Sequence, residues 1–236
     1  EKEQRWLPVL AEHLPLPIPA PVARGEASDG VFPRIWSIYQ WIEGQVASAN
    51  PPEDLSAFAI DVADFLAALY RIDADGGPPA GEQNFYRGAP LDHYDDQTRQ
   101  AIHDLGSEVD GEMATSLWET ALEMPFVGSP VWVHGDVAQN NLVVRDGRLC
   151  AVIDFGTSGV GDPACDTVLA WTYLHGESRR LFQERLPVDG DVWARGRAWA
   201  LWKALITLAW NPNENPAFTR ECAHVAEAVI AEHQNG

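Results

Sequence analysis

The sequence predicts an α+β fold, in which a large helical body surrounds a short central hairpin. Three observations lead there. Asp146-Gly147 separates the β-branched runs "NLVVR" and "RLCAVI", and Asp-Gly between two such runs is the strongest short hairpin signal a sequence offers. Apolar residues recur at helical spacing on both sides of it, most clearly from Trp193 to Trp210. A β-type run, "IWSIYQWI" from Ile35 to Ile42, stands near the start and ends at Glu43-Gly44.

Taken in order, Glu1 to Leu14 reads as a helix, with Trp6, Leu7, Leu10 and Leu14 at roughly helical spacing. Pro15, Pro17, Pro19 and Pro21 stop it, because each removes a backbone donor and holds the chain extended. After the β-type run, Asn50 is positioned to cap a helix, with Pro51 at its first position and Glu53 completing a capping box. Phe58, Val62, Phe65, Leu66 and Leu69 form the apolar face of that helix, with Asp61 and Asp64 elsewhere. Gly76 to Arg87 reads as loop, and Asp96 to about Glu123 as mostly helix with a glycine-containing break. Beyond the hairpin, the helix from Trp193 carries Leu201, Trp202, Leu205 and Leu208; "NPNENP" breaks it, and Ala217 to His233 is a final helix.

Composition limits the function. The 236 residues, 46% hydrophobic with ten tryptophans, suffice for one large domain or two small ones with a real core. No run is long and apolar enough to span a bilayer, and no signal peptide is evident. Cys150, Cys165 and Cys222 form no C-x-x-C pair, which points to a reducing compartment, the cytoplasm. A net charge of −19 argues against a nucleic-acid partner. Between Glu43 and Pro130 there are seventeen Asp or Glu against three Arg and no Lys. Solvated helix faces account for such a segment, and so does a surface that concentrates a cationic ligand. The only lysines are Lys2 and Lys203.

The hairpin carries polar residues where strands should be apolar. With Asp146-Gly147 as a two-residue loop, Asn141 faces Val152, and Asp154 lies two residues further along the same face. Diagonal neighbours of this kind are about 7–8 Å apart, within bridging range of one divalent cation. An amide oxygen and a carboxylate suit Mg²⁺, which keeps waters and shares a phosphate. Strand ends also carry Asn and Asp for purely structural reasons. His134-Gly135-Asp136 shifts the balance, since a carboxylate on a loop entering the same end of the hairpin can accept a proton from a hydroxyl. Base, amide and carboxylate together make the layout of phosphoryl transfer to an alcohol.

"HGDVAQNN" followed by "VIDFG" resembles the H-G-D-x-x-x-x-N and D-[FL]-G signatures of the aminoglycoside phosphotransferase family, relatives of the protein kinases. "GVGDPACDTVLA" resembles that family's G-D-P-x-x-D segment. "EKEQRWLPVLAEHLPLPIPAP" resembles the helix-then-proline passage before the interlobe linker, and "IYQWIEG" the linker itself. The resemblance implies a protein-kinase-like fold: residues 1–42 a remnant of the N-terminal lobe with the linker, residues 43–236 a mainly helical C-terminal lobe bearing the catalytic hairpin.

It implies roles as well. Asp136 would be the catalytic base, and Asn141 and Asp154 the magnesium ligands. Glu3 would orient a phosphate-binding lysine. Backbone groups of Gln40 and Ile42 would bind the purine with Tyr39 beside it, and His134 and Asp166 would hold the catalytic loop. ATP or GTP would donate its γ-phosphoryl group to a cationic small molecule such as an aminoglycoside. The same signatures fit a kinase for choline, a sugar, homoserine or a macrolide. A nucleotide-binding regulator without catalysis is the rival, disfavoured because Asp136, Asn141 and Asp154 are all retained. In the family, helices after the linker help to wall the acceptor cleft, so the acid-rich segment is expected there. The family also uses a glycine-rich phosphate loop and a strand lysine upstream of Glu3, where this sequence has two residues, so it is expected to begin inside the fold. "GTSGVG" (Gly156 to Gly161) does not replace that loop, since it lacks the lysine and the strand-to-helix order.

Overall fold

A computed structural model describes residues 1–210 and 216–235. The chain opens with helix α1 (Lys2–Ala11), shorter than the expected Glu1 to Leu14 because the proline-rich stretch takes over directly after it. Leu7 and Leu10 are buried, and Trp6 packs on Trp132 with ring centroids 5.0 Å apart. Strands β1 (Pro21–Gly25) and β2 (Trp36–Tyr39) pair antiparallel. Gly25 is required there, since a Cβ would fall 1.9 Å from the Trp36 indole.

After β3 (Gln45–Val46) comes α2 (Leu55–Tyr70). Its cap is Asp54 rather than Asn50: the Asp54 carboxylate accepts the backbone N–H groups of Ser56 and Ala57 at 2.9 and 3.0 Å. Those donors lie where the apolar periodicity begins, so the helix starts there and Pro51 and Pro52 remain outside it. Phe58, Val62, Phe65, Leu66 and Leu69 are buried as expected, while Asp61 and Asp64 pair with Arg148 and Arg185. The loop that follows includes a 3-10 turn at Glu82–Asn84. Helices α3 (Asp95–Leu105) and α4 (Gly111–Leu122) are separated by the expected break, with Gly106 at φ 53° and Asp110 capping α4.

Strands β4 (Val131–Val133), β5 (Leu142–Arg145), β6 (Arg148–Val152) and β7 (Gly159–Gly161) form the centre. β3, β5 and β6 make one sheet, and β4 pairs with β7 in another. Asp146 and Gly147 form the hairpin loop with positive φ at both residues, 53° and 74°. The register is not uniform. Arg145 faces Arg148 and Val144 faces Leu149, but beyond a bulge Val143 faces Ala151 and Leu142 faces Val152. The extra residue, Cys150, moves the far end of the hairpin by one position, so Leu142 and not Asn141 stands opposite Val152.

The body is completed by α5 (Leu169–Thr172), α6 (Gly176–Arg185), α7 (Gly190–Trp210) and α8 (Pro216–Asn235). Leu201, Trp202 and Leu205 of α7 are buried. Most of the expected break "NPNENP" lies outside the described residues, and its last residue, Pro216, opens α8. No helix among the described residues is long and apolar enough to cross a membrane.

Candidate active site

The chain leaves β4 at His134 and turns sharply. Gly135 has φ 84°, and a Cβ there would lie 2.6 Å from the Thr157 carbonyl oxygen and 2.8 Å from Arg87 Cβ, so only glycine fits. Two buried side chains hold the turn. The Asp166 carboxylate accepts the N–H groups of His134 and Gly135 at 2.9 and 2.7 Å. The His134 ring reaches the Ile153 carbonyl through Nε2 at 3.0 Å and accepts the Asp136 N–H at Nδ1, 3.2 Å away. Burial pushes the His134 pKa down, leaving a neutral ring whose Nε2 carries the hydrogen.

Asp136 emerges from this turn with both oxygens engaged. Oδ2 accepts Asn141 Nδ2 at 3.1 Å, and Oδ1 accepts Lys203 Nζ at 2.6 Å. Burial raises the Asp136 pKa, but the Lys203 ammonium, with smaller contributions from His134 and Arg87, offsets this and holds it below the usual carboxylate value. Asn141 Nδ2 also donates to the Asp136 carbonyl at 2.9 Å, which turns its amide oxygen away from the Asp136 carboxylate. Its own carbonyl accepts the Ile153 N–H at 2.9 Å, so Asn141 lies beside the residue that precedes Asp154. Asp154 leaves the strand in the left-handed region, φ 63°, and caps a short 3-10 turn at Phe155–Thr157.

Two cavities flank these residues. One of about 520 Å³ is bounded by Glu3, Tyr39, Gln40, Ile42 and Asp154, with Tyr39 donating to Glu3 at 3.1 Å. All four residues expected around the nucleotide thus meet in one place, together with one expected metal ligand. The other, about 420 Å³, is bounded by Asp136, Asn141, Lys203 and, from α8, Phe218, Glu221 and Val225. The phosphotransferase enzyme family model matches residues 1–199, most of the chain, and both signature segments fall within it.

The chain belongs to the phosphotransferase enzyme family. An aminoglycoside 3'-phosphotransferase of Escherichia coli is 27% identical over 154 residues, 64% of this chain and 56% of that protein. The chain therefore spans little more than half the length of that curated relative. Among solved structures, the GDP and kanamycin complex of APH(2'')-IIIa matches with a TM-score of 0.70 at 18% identity, covering 99% of this chain and 81% of that one. A macrolide 2'-phosphotransferase of Brachybacterium faecium matches with a TM-score of 0.59 at 21% identity, covering 97% and 77%. At those identities the structures establish the protein-kinase-like fold.

Within this family member, sequence reasoning gave Lys203 no role at the site. Lys203, on α7 of the helical body, places its ammonium 2.6 Å from Asp136 Oδ1. Its signal was a lone cation in an otherwise apolar stretch of α7, between Trp202 and Ala204. The acid-rich stretch 43–130 contributes none of the described residues lining the cavity beside Asp136; Glu221 is the carboxylate there apart from Asp136. Several acids of that stretch are exposed, among them Asp92, Asp96 and Glu112. "GTSGVG" is no phosphate loop: its Gly156 and Ser158 carbonyls accept Lys2 Nζ at 2.6 and 2.7 Å, so it faces a cation.

Proposed function

We propose that this chain carries the acceptor and catalytic part of a small-molecule kinase, which moves the γ-phosphoryl group of ATP or GTP to a hydroxyl. One observation carries the reading: Asp136 and Asn141 border the cavity on the α8 side, Asp154 borders the cavity that holds Glu3, Tyr39, Gln40 and Ile42, and the Asn141 carbonyl accepts the N–H of Ile153 beside Asp154. A donor nucleotide in one cavity and an alcohol in the other would meet at the base. Asp136 takes the hydroxyl proton, and His134 and Asp166 fix its loop.

Asn141 and Asp154 fit a magnesium ion. The amide nitrogen of Asn141 is spent on Asp136, which leaves its oxygen for a cation. No group of three or more His, Cys, Asp or Glu among the described residues could hold a metal by itself. Two protein oxygens completed by water and phosphate are the usual arrangement for Mg²⁺, which neutralises phosphate charge when bound.

The named relatives support an aminoglycoside as the acceptor, with an alcohol such as a macrolide as the alternative. A cationic acceptor now rests on Glu221 at the cavity rim rather than on the acidic stretch. Residues 1–42 belong with the nucleotide side and 43–236 with the acceptor side and the catalytic loop. A nucleotide donor and three free cysteines fit the cytoplasm. The test is Asp136→Asn in the intact protein, assayed for nucleotide consumption with kanamycin. Turnover should fall by about 10²–10⁴ while nucleotide affinity and fold persist. Near-normal turnover would remove Asp136 as the base, whereas no turnover by the unaltered protein with any hydroxylated acceptor would leave the regulator reading.

A further inference from the structure

Lys203 has no place in the signature motifs, yet its ammonium touches the base. Nζ lies 2.6 Å from Asp136 Oδ1, with about a third of each side chain exposed. The helix that delivers it is firmly seated. Arg195 of α7 forms an ion pair with Asp162 that is almost fully buried. Gly196 lies so close to Thr167 that a Cβ would fall 1.8 Å from Oγ1. Trp199 and Trp202 are buried on either side of the lysine. A charged group on so fixed a helix is positioned rather than incidental.

The loop itself supplies no positive charge. Between Asp136 and Asn141 stand Val137, Ala138, Gln139 and Asn140. Lys2 is taken by the carbonyls of Gly156 and Ser158. Arg87 lies over the rings of Trp202 and Trp199, 4.8 and 5.4 Å away. Among the described residues lining the larger of two cavities at Asp136, Lys203 is the cation; Arg87 joins it in the smaller.

We infer that Lys203 is a further catalytic residue, whose ammonium rests on Asp136 in the free protein and moves onto the transferring phosphoryl group during reaction. The inference rests on the phosphotransfer reading above. In that reaction the acceptor oxygen bonds to the γ-phosphorus, the bond to the bridging oxygen breaks, and the electron pair leaves on the nucleoside diphosphate. The acceptor proton passes to Asp136. Protonation removes the charge that held Lys203 at the moment when the phosphoryl oxygens need a counter-charge. Asp136 and the phosphoryl group therefore share one ammonium in sequence, and the flexible lysine stem spans the short move.

The experiment compares Lys203→Met, Lys203→Arg and Asp136→Asn in the intact protein, with kcat and KM measured separately for nucleotide and acceptor. Lys203→Met should lower kcat by about 10²–10³, with both KM values within about threefold of the original. Lys203→Arg should recover at least tenfold of that loss, since it keeps the charge. A Lys203→Met protein with unchanged kcat, or altered only in acceptor KM, makes Lys203 a cavity wall and overturns the inference. So does a Lys203→Arg protein no faster than Lys203→Met. If Lys203→Met does not fold, Lys203→Gln is held to the same criteria. Retained turnover in Asp136→Asn removes the base on which the inference relies, whereas no phosphotransfer by the unaltered protein overturns the phosphotransfer reading itself, so the failures are distinct.

Discussion

The carboxylate of Asp166 accepts the backbone N–H of Gly135 at 2.7 Å, joining residues thirty-one positions apart and closing the turn that presents Asp136. Burial pushes Asp166 from its ordinary 3.8 up to about 7, against the pull of the two backbone donors. Between those pH values the folded chain holds a proton that the unfolded chain has released. Its contribution to stability is therefore fully present below pH 3.8 and is lost as pH rises toward 7. Asp166→Asn should remove this part of the pH dependence, a change of a few kcal/mol between denaturant unfolding at low and at neutral pH. An unaltered pH profile would mean that Asp166 is already ionised across the range.

Asn141 and Asp154, proposed as the magnesium ligands, make a graded prediction. Asp154→Ala removes a charged ligand and should weaken Mg²⁺-dependent nucleotide binding far more than metal-free binding. Asn141→Ala removes a neutral oxygen and should do so more mildly. Calorimetry with and without Mg²⁺ reads both, and losses that are equal in the two conditions would show that neither residue meets the ion.

The buried pair of Asp162 and Arg195 should govern stability. Arg195 Nε and a terminal nitrogen meet the two Asp162 oxygens at 2.6 and 3.2 Å. Arg195→Ala strands a buried carboxylate and should cost about 3–5 kcal/mol, measured as a lower denaturant midpoint. A loss below about 1 kcal/mol, the range of exposed pairs, would mean that water reaches Asp162.

The acceptor's charge can be read at one residue. Glu221→Gln should raise KM for an amino-sugar acceptor severalfold at low ionic strength, and the gap should narrow once the Debye length falls to about 8 Å. Neutralising Asp92, Asp96 and Glu112 together should leave KM unchanged, because these exposed acids do not line the cavity. The opposite pattern would return the acceptor field to the acidic stretch.

Much of this site is a matter of short-range chemistry, and the sequence by itself determined it. Asp146-Gly147 specified the hairpin because those residues accept positive φ. "HGDVAQNN" and "VIDFG" carried Asp136, Asn141 and Asp154, the proposed base and metal ligands, because a loop and a strand end place neighbouring residues predictably. Helical periodicity gave the buried faces of α2 and α7. Tertiary structure decided the rest. The bulge at Cys150 moved Asn141 out of the register that a uniform two-residue period implies, since an inserted residue is accommodated by packing and leaves no mark on spacing. The turn at Asp166, the pair of Asp162 and Arg195, and the meeting of Lys203 with Asp136 across sixty-seven positions all depend on how α7 docks against the catalytic loop. None of the described acids of 43–130 borders either cavity at Asp136. Composition counts charges, but only the packing of helices fixes the direction in which each charge points.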